Sequence, residues 1–346
     1  MRTLTELKIR RILDRLPNLT ISVVGDFFLD KYLDIDARLT EKSIETGLDA
    51  HQVSRVRTSP GAGGTVTNNL SALGVGRILA LTVLGRDGEG FELRSELTAR
   101  RVDLTHVIET PDRRTPTYTK PMLDDGMSAP RELNRIDIKN RMPMPAMLVR
   151  EVAKHLDAVV AESHAVIIAD QVSEPDCGVM CLAVRERLAE LAQRFPDKII
   201  LADSRNRIAQ FRGVIVKPNW GECLRSVGVN PATGPDRLLL ESSARQLIRR
   251  TGRSVYCTIG EQGMLVIDRG QSVHVPSFSV SGPIDIVGAG DSATAGIVCA
   301  LCDQADAAEA AELGNLIASI TIQQLGSTGT ATPDQILARW REVTEP

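Results

Sequence analysis

Aromatic residues are scarce in the sequence, at 3% of 346 positions, and long apolar runs are missing altogether. A membrane-spanning helix needs about 20 apolar residues in succession, so we expect no membrane span and no membrane partner. Basic and acidic residues nearly balance, with a net charge of −3. Because surfaces that bind nucleic acid carry a clear basic excess, we also expect no nucleic-acid partner. Residues 1–18 lack a cleavage site of small residues and predict an amphipathic N-terminal helix rather than a signal peptide.

The cysteines do not form a disulfide or metal-ligand pattern. Cys177 and Cys181, like Cys299 and Cys302, fall in predicted helices among apolar or small neighbours. The Cys299-x-x-Cys302 spacing also suits a redox pair or half a zinc site, but no second Cys or His pair stands at ligand spacing. We therefore interpret the cysteines as buried free thiols, which favours a cytoplasmic protein.

Several common catalytic motifs are absent from the sequence as well. It has no Gly-x-x-x-x-Gly-Lys-Ser/Thr, no protein-kinase His-Arg-Asp or Asp-Phe-Gly, no Gly-x-Ser-x-Gly and no His-Glu-x-x-His. These absences exclude P-loop enzymes, protein kinases, hydrolases with a nucleophile elbow, and metalloproteases of the zincin type.

The most informative stretch that is present runs from Asp285 to Asp291, as Asp-Ile-Val-Gly-Ala-Gly-Asp. Amides at the start of a helix, together with the positive end of its dipole, attract anions. Asp291 lies beside them, and a carboxylate there suits a base that takes a proton from a hydroxyl while the amides hold a phosphoryl group. Two alternatives stay open at this point. One is an ordinary helix start, and the other is a Gly-x-Gly-x-x-Ala dinucleotide fingerprint.

The order of apolar segments predicts an α/β fold. Apolar strands are predicted at 20–25, 79–85, 165–169, 198–201, 214–217, 254–259 and 272–280, and from residue 146 helices at 147–162, 177–195 and 236–250 alternate with them. This alternation predicts a mostly parallel sheet covered by helices on both faces. Because no linker interrupts the pattern, we interpret residues 1–346 as one domain.

Four segments depart from this pattern because they alternate apolar and polar residues. They lie within residues 32–57 and 115–138 and predict half-exposed antiparallel strands, which we interpret as a small lid sheet over the site. Ligands of parallel sheets bind beyond the carboxyl ends of the strands, so Asp26 and Asp30 are candidate ligand contacts. Residues 59–65 form a second glycine-rich turn that opens a predicted helix.

Taken in order, these motifs resemble the ribokinase, or PfkB-type, carbohydrate kinases from about residue 21 to 337. The likeness rests on Val23-Val-Gly-Asp26, Gly85-x-Asp-x-x-Gly90, Pro218-Asn-x-x-Glu222, Thr258-x-Gly260 and the 285–291 stretch. It implies a three-layer α/β/α ribokinase-like fold with a mostly parallel central sheet and a small β-sheet lid. Residues 25–32, 118–120, 134–137 and 325–330 are similar to the heptose 7-phosphate kinase branch, although no fused nucleotidyltransferase domain is expected.

The resemblance also implies a role for each site residue. Asp291 would be the catalytic base, and the amides of Gly288, Ala289 and Gly290 would hold the transferring phosphoryl group. ATP, with Mg²⁺ bound through water, would contact Asn219, Glu222, Thr258, Gly260, Gly263 and Asn315. The acceptor would contact Asp30, Gly61, Gly63, Thr65, Lys120 and Arg135, and Asp285 with residues 326–330 would surround a monovalent cation, K⁺. The alternatives are a helix cap for Asn219 and Glu222, a packing role for Asn315, and solvated lid charges for Lys120 and Arg135.

Three departures from the family concern the acceptor side. Thr65 stands where the family has Asn, Val287 where it has Thr, and residues 40–47 replace a proline-rich segment of the heptose branch. None alters the base or the amides, so the resemblance implies an ATP-dependent kinase of a sugar or sugar phosphate, with a heptose 7-phosphate-like acceptor favoured. The alternatives are a kinase of a nucleoside or other non-sugar alcohol and a non-catalytic sugar- or nucleotide-binding relative. Lid sheets in this family often pair, so we expect a homodimer.

Overall fold

A computed structural model of the chain describes residues 4–127, 130–231, 234, 236–326 and 328–344. Parts of three predicted segments lie outside the described residues: 1–3 of the N-terminal helix, 128–129 of the lid and Ser327 of the cation loop.

The strands are β1 Thr20–Gly25, β2 Phe27–Asp36, β3 Glu41–Lys42, β4 Asp49–Ala50, β5 Val53–Ala62, β6 Arg77–Leu81, β7 Val83–Gly85, β8 Val102–Asp103, β9 Ile108–Thr110, β10 Thr117–Asp124, β11 Arg131–Glu132, β12 Ile136–Ile138, β13 Ala165–Asp170, β14 Ile199–Ser204, β15 Val214–Val216, β16 Gly252–Thr258, β17 Met264–Asp268 and β18 Gln271–Val275.

The helices of the described residues are α1 Glu6–Arg15, α2 Gly63–Ala72, α3 Gly88–Ala99, α4 Ala146–Glu162, α5 Leu182–Arg194, α6 Trp220–Ser226, α7 Arg237–Thr251, α8 Ala289–Cys302, α9 Ala307–Thr321 and α10 Pro333–Thr344. Within these ranges, none has both the length and the apolar character that crossing a membrane requires. The six cysteines are buried and free, which confirms that prediction.

The central sheet joins nine strands in the order β18-β17-β16-β15-β14-β13-β1-β6-β8. Its pairs from β8 to β16 are parallel, and the two at the other edge, β16 with β17 and β17 with β18, are antiparallel. The predicted mostly parallel sheet is therefore confirmed. Its central strands are mostly apolar because helices cover both faces.

Two hydrophobic cores hold the layers together. Side chains alternate across a strand, so Val23 packs into one core while Val24 packs into the other. The first core contains residues of α1, α2, α3, α8, α9 and α10, and the second contains residues of α4, α5, α6 and α7. The sheet thus lies between two helical layers, which is the predicted three-layer arrangement.

The lid is a separate sheet in the order β11-β10-β2-β5, with β12 also paired to β10. Strand β2 follows β1 after a single residue, Asp26, so the lid grows directly out of the core sheet. The predicted lid is present, but β2 and β10 pair in parallel rather than antiparallel. The reason is connectivity, because the chain passes through the core between the two strands.

Three local predictions are wrong. Within the predicted turn at 59–65, residues 59–62 form the end of β5 and residues 63–65 already belong to α2, which begins at Gly63. The segment 276–280 is irregular, since β18 ends at Val275.

Residues 177–181 precede α5 instead of belonging to it, because the carboxylate of Asp26 pins the loop before that helix. It accepts the N–H groups of Gln171, Val172 and Val179, each at 2.8 Å. Asp26 is 3% exposed, so the prediction that it contacts ligand is also wrong. Burial, followed by repulsion from Asp170, raises the pKa of Asp26 to about 6.

Gly25, where the lid leaves the core, gives a test of this architecture. It has φ +138°, and an added Cβ would collide with the carbonyl group of Ala169 on the neighbouring strand. We expect Gly25→Ala to destabilise the protein by about 3 kcal/mol or more, because backbone atoms must move. Gly88→Ala is the control, since nothing lies within 4 Å of its added Cβ. Urea unfolding of both variants measures this, and equal midpoints would contradict it.

Candidate active site

A cleft of about 1,430 Å³ opens at the carboxyl edge of the central sheet. We call it the main cleft. It brings together most of the predicted catalytic and nucleotide-binding residues, although they lie far apart in the sequence. Those that line it are Asn219, Glu222, Thr258, Gly260, Gly263, Ala289, Gly290, Asp291 and Asn315.

Helix α8 begins at the wall of this cleft. Gly288 caps the helix at φ 84°, a left-handed conformation that glycine adopts without strain. Two of the three predicted amides, those of Gly288 and Gly290, have no acceptor among the described residues, and neither has the amide of Asp291. The Ala289 amide instead donates to Ile286 O at 3.2 Å. Open N–H groups at a helix N-terminus suit an anion.

Asp291 stands on the first turn of α8, partly exposed to the main cleft. Burial, followed by repulsion from Asp203, raises its pKa to about 7, although Lys217 and Arg205 act in the opposite direction. A carboxyl group with a pKa near neutrality exchanges protons readily at physiological pH. The geometry and the pKa therefore suit general base chemistry.

A buried ion pair beneath this turn was not predicted as part of the site. Lys217 Nζ lies 2.8 Å from Asp203 Oδ2, and the lysine is 3% exposed. The same Nζ is 3.6 Å from where a Cβ on Gly290 would stand. Burial acts to lower the pKa of Lys217, but Asp203 more than offsets this and the pKa is raised. A permanent positive charge thus lies under the open amides.

The sequence did carry a signal for this pair. Asp203 lies near the carboxyl end of β14, and Lys217 directly follows β15, the next strand in the sheet. Opposite charges at the ends of adjacent parallel strands are expected to meet.

Asn219 and Glu222 form a reciprocal capping box at the start of α6. Asn219 Oδ1 accepts the Glu222 N–H at 2.9 Å, and Glu222 Oε2 accepts the Asn219 N–H at 2.8 Å. The helix-cap alternative is therefore present, and both side chains also line the main cleft. Burial, followed by repulsion from Asp203, raises the pKa of Glu222. Among the described residues, the two bonds of the capping box are the hydrogen bonds that these side chains make, so Glu222 Oε1 and Asn219 Nδ2 have no partner there.

The predicted nucleotide-side residues shape the far wall of the main cleft through their backbone. Thr258 N donates to Pro218 O at 3.0 Å, and Gly260 and Gly263 have φ values of +58° and +90°. A Cβ on Gly263 would collide with Val275 O. Asn315 Nδ2 donates to Val275 O at 3.1 Å and to Pro276 O at 3.2 Å, which joins α9 to the end of β18. Asn315 therefore has the packing role that we left open, at a position that lines the cleft.

The predicted acceptor residues lie toward the lid rather than on the wall of the main cleft. Asp30 is 8% exposed, and its Oδ2 lies 3.4 Å from Lys120 Nζ. Burial raises the pKa of Asp30, against the opposing charge of Lys120. A Cβ on Gly61 would lie 3.0 Å from Asp30 Oδ2, so glycine keeps that carboxylate accessible.

The other three acceptor candidates make contacts within the protein. A Cβ on Gly63 would meet the Phe27 ring at 2.7 Å, so this glycine permits close packing. Thr65 Oγ1 is 3.4 Å from Pro60 O. Arg135 holds Asp137 in two hydrogen bonds of 2.6 and 2.9 Å. None of these contacts itself points to a ligand.

Asp285 braces the turn before α8. Its Oδ1 accepts the Val287 N–H at 3.0 Å, and its Oδ2 accepts the Gly326 N–H at 3.2 Å. The carboxylate therefore ties the predicted cation loop to the Gly-Ala-Gly turn. No cluster of three or more His, Cys, Asp or Glu residues suited to a metal ion occurs in the described part of the chain.

The sequence matches the family described as "pfkB family carbohydrate kinase" over residues 23–335. It is 28% identical to the bifunctional protein HldE of Trichlorobacter lovleyi over 333 residues, which is 95% of this chain and 64% of that protein. HldE of Gluconacetobacter diazotrophicus is 26% identical, with 93% and 63% covered. The chain thus spans less than two thirds of the length of these relatives.

Solved structures share the fold. The ribokinase of Giardia lamblia superposes with a TM-score of 0.71 at 15% identity, covering 94% of this chain and 99% of that one. Phosphofructokinase-2 of Escherichia coli in complex with potassium gives 0.70 at 17% identity, covering 94% and 100%. These likenesses confirm the predicted ribokinase-like fold.

Proposed function

Because the chain belongs to the pfkB family of carbohydrate kinases, we propose that it transfers the γ-phosphoryl group of ATP to a hydroxyl of a sugar phosphate. The observation that carries this proposal is the start of α8. There Asp291, with a pKa of about 7, stands beside open amides and above the ammonium of Lys217. Phosphoryl transfer needs these three things together: a base, oriented donors and fixed positive charge.

In the proposed reaction Asp291 accepts the proton of the acceptor hydroxyl as that oxygen bonds to the γ-phosphorus. The bond from the γ-phosphorus to the β–γ bridging oxygen breaks, and ADP leaves with that oxygen. The amides of Gly288, Gly290 and Asp291 donate to the equatorial oxygens of the phosphoryl group. Lys217 adds a charge that is already desolvated and paired, so it does not reorganise during the reaction. The nucleotide occupies the main cleft along Thr258, Gly260, Gly263 and Asn315.

The cleft chemistry also fits Mg²⁺ and a monovalent cation. Glu222 and Asp203 offer carboxylate oxygens at one edge of the main cleft, and Asn219 Oδ1, which already accepts the Glu222 N–H, has a second lone pair for a water. Mg²⁺ commonly keeps its waters and binds carboxylates through them. When bound, the ion would neutralise charge on the ATP phosphates. Asp285, which bridges the Gly-Ala-Gly turn and the 326–330 loop, is the proposed residue beside K⁺.

For the acceptor we propose a sugar phosphate similar to heptose 7-phosphate. Curated relatives named HldE and the lid residues Asp30 and Lys120 support this choice. Asp30, kept accessible by Gly61, accepts hydrogen bonds from sugar hydroxyls, and Gly63, Thr65 and Arg135 frame that side. The buried free thiols support a reducing compartment, and we propose the cytoplasm, which cell fractionation would check.

An acceptor screen with an Asp291 control tests the proposed function. We expect ADP release with sugar phosphates, heptose 7-phosphate among them, to exceed that with nucleosides and simple alcohols. Asp291→Asn should lower turnover by about 10²- to 10⁴-fold, because the base is lost, while ATP binding measured by calorimetry persists. Highest turnover on a nucleoside would favour the non-sugar alternative. Turnover on no acceptor, with ATP still bound, would indicate a non-catalytic relative.

The proposed base also gives the reaction a pH dependence. Asp291 works only when deprotonated, so kcat/KM for the acceptor should fall as the pH drops below its pKa of about 7. Asp203→Asn removes a negative charge that raises this pKa, so the acidic limb should move to lower pH. Stopped assays at a series of pH values give kcat/KM for the acceptor as a function of pH. A level profile from about pH 5.5 to about pH 8 would exclude Asp291 as the base.

The back of the lid supports the proposal of a homodimer. Leu33 pairs with Val56 on the face opposite Asp30, and Val53 and Ile136 extend this apolar surface. Val53, Val56 and Ile136 are 45%, 52% and 63% exposed. Exposing such an apolar face to water is unfavourable, and pairing two copies would bury it. Light scattering should therefore give twice the mass of one chain, and Val56→Glu should lower the measured mass to that of the monomer. A monomeric wild type at assay concentrations would count against the dimer.

A further inference from the structure

A small recess lies beside the main cleft, next to the lid. Its volume is about 40 Å³, room for a few waters or one compact anionic group. Gln171 and Arg205 line both the recess and the main cleft, so the two spaces adjoin at these side chains. The other walls come from the lid residue Tyr118 and from Lys139 and Asn140. We call this space the lid recess.

Arg205 differs from the other cations around the acceptor. Lys120 is held by Asp30 and by the Tyr32 hydroxyl at 3.1 Å, and both ends of the Arg135 fork bind Asp137. The side chain of Arg205 makes one hydrogen bond among the described residues, from Nε to Gln171 Oε1 at 3.0 Å. Its two terminal amino groups, Nη1 and Nη2, have no protein acceptor in the described ranges. Two such amino groups on one guanidinium can each donate a hydrogen bond to a different oxygen of the same phosphate.

Basic residues outnumber acidic ones in the wall of the recess, where Arg205 and Lys139 face one acid. Lys139 Nζ lies 5.8 Å from the centre of the Tyr118 ring and adds a second cation. The one acidic residue of the wall, Glu174, is paired with Arg141 at 3.5 Å. Asn140 is engaged with the backbone of Arg114 through both its amide and its carbonyl, so it forms a rigid wall.

Arg205 also lies at both ends of the acceptor site. It lines the main cleft together with Asp291 and the lid recess together with Tyr118. An acceptor that extends from Asp291 past Arg205 toward the lid would therefore place its far end in the recess.

We propose that the lid recess binds the phosphate that the acceptor already carries, with Arg205 as its bidentate ligand and Lys139 as the second charge. This inference rests on the proposed kinase function. It makes Arg205 a specificity residue that selects a sugar phosphate over the free sugar, and it places the acceptor's two functional ends at Asp291 and Arg205.

Paired acceptors test the proposal. We expect wild-type enzyme to favour heptose 7-phosphate over free heptose in kcat/KM. Arg205→Gln should lower kcat/KM for the phosphorylated acceptor by about 10- to 100-fold, since a hydrogen-bonded charge pair is lost, and change that for the free sugar by less than about threefold. Arg205→Lys, which keeps the charge but not the fork, should recover part of the loss. Arg212→Gln is the control, because Arg212 is exposed at the opposite, amino end of β15.

Each other outcome has a distinct meaning. If Arg205→Gln slows both acceptors equally, Arg205 acts on the transferring phosphoryl group and the recess assignment is wrong. If wild type does not distinguish the two acceptors, or prefers the free sugar, the assignment is also wrong while the kinase function stands. If neither acceptor nor any other sugar is phosphorylated, the proposed function itself fails. The melting temperatures of the variants should match that of wild type. A lower kcat/KM then reflects weaker acceptor recognition and not a loss of folded protein.

Discussion

The candidate site depends on one buried ammonium, that of Lys217, placed among three carboxyl groups. Asp203 neutralises it directly at 2.8 Å, and Glu222 and Asp291 both interact with it through space. Burial, followed by repulsion from Asp203, raises the pKa values of Asp291 and Glu222, and the one positive charge of Lys217 offsets these effects only in part. The same excess of negative charge would favour a bound cation. The electrostatics that prepare Asp291 as a base thus also suit a metal-nucleotide complex.

Close helix packing gives this charge cluster its geometry. A Cβ on Gly296 would lie 2.8 Å from Ile317 Cδ1 and 3.1 Å from Gly314 Cα, so glycines let α8 and α9 approach closely. Asp285 then anchors the turn before α8 to the segment that follows α9. Because α8 is held along its length and at its start, its first-turn amides keep a fixed direction. Amides that are already oriented need not reorient as charge develops on the transferring phosphoryl group, which lowers the activation free energy.

The sequence predicted what local pattern and strand order determine, and failed where distant segments meet. The Gly-Ala-Gly turn, the parallel sheet and the lid could all be predicted, since hydrophobic periodicity and glycine spacing depend on residues that are close in the sequence. The prediction for Asp26 is wrong because its partners, the amides of Gln171, Val172 and Val179, lie 145 to 153 residues away in the sequence. Lys217 was missed because a lysine after a strand usually points to solvent, and only the pairing of β14 with β15 brings Asp203 to it.

Asn219 and Glu222 show why a structural role and a functional role need not be alternatives. Each uses one oxygen in the capping box, which fixes both side chains at the start of α6 without rotamer freedom. A carboxylate that is already immobilised loses less entropy when it binds water or an ion than a mobile one does. The capping box therefore holds the Glu222 carboxylate in position to bind water or an ion in the main cleft. The same reasoning applies to Arg205, because its Nε bond to Gln171 orients the guanidinium group without using either terminal amino group.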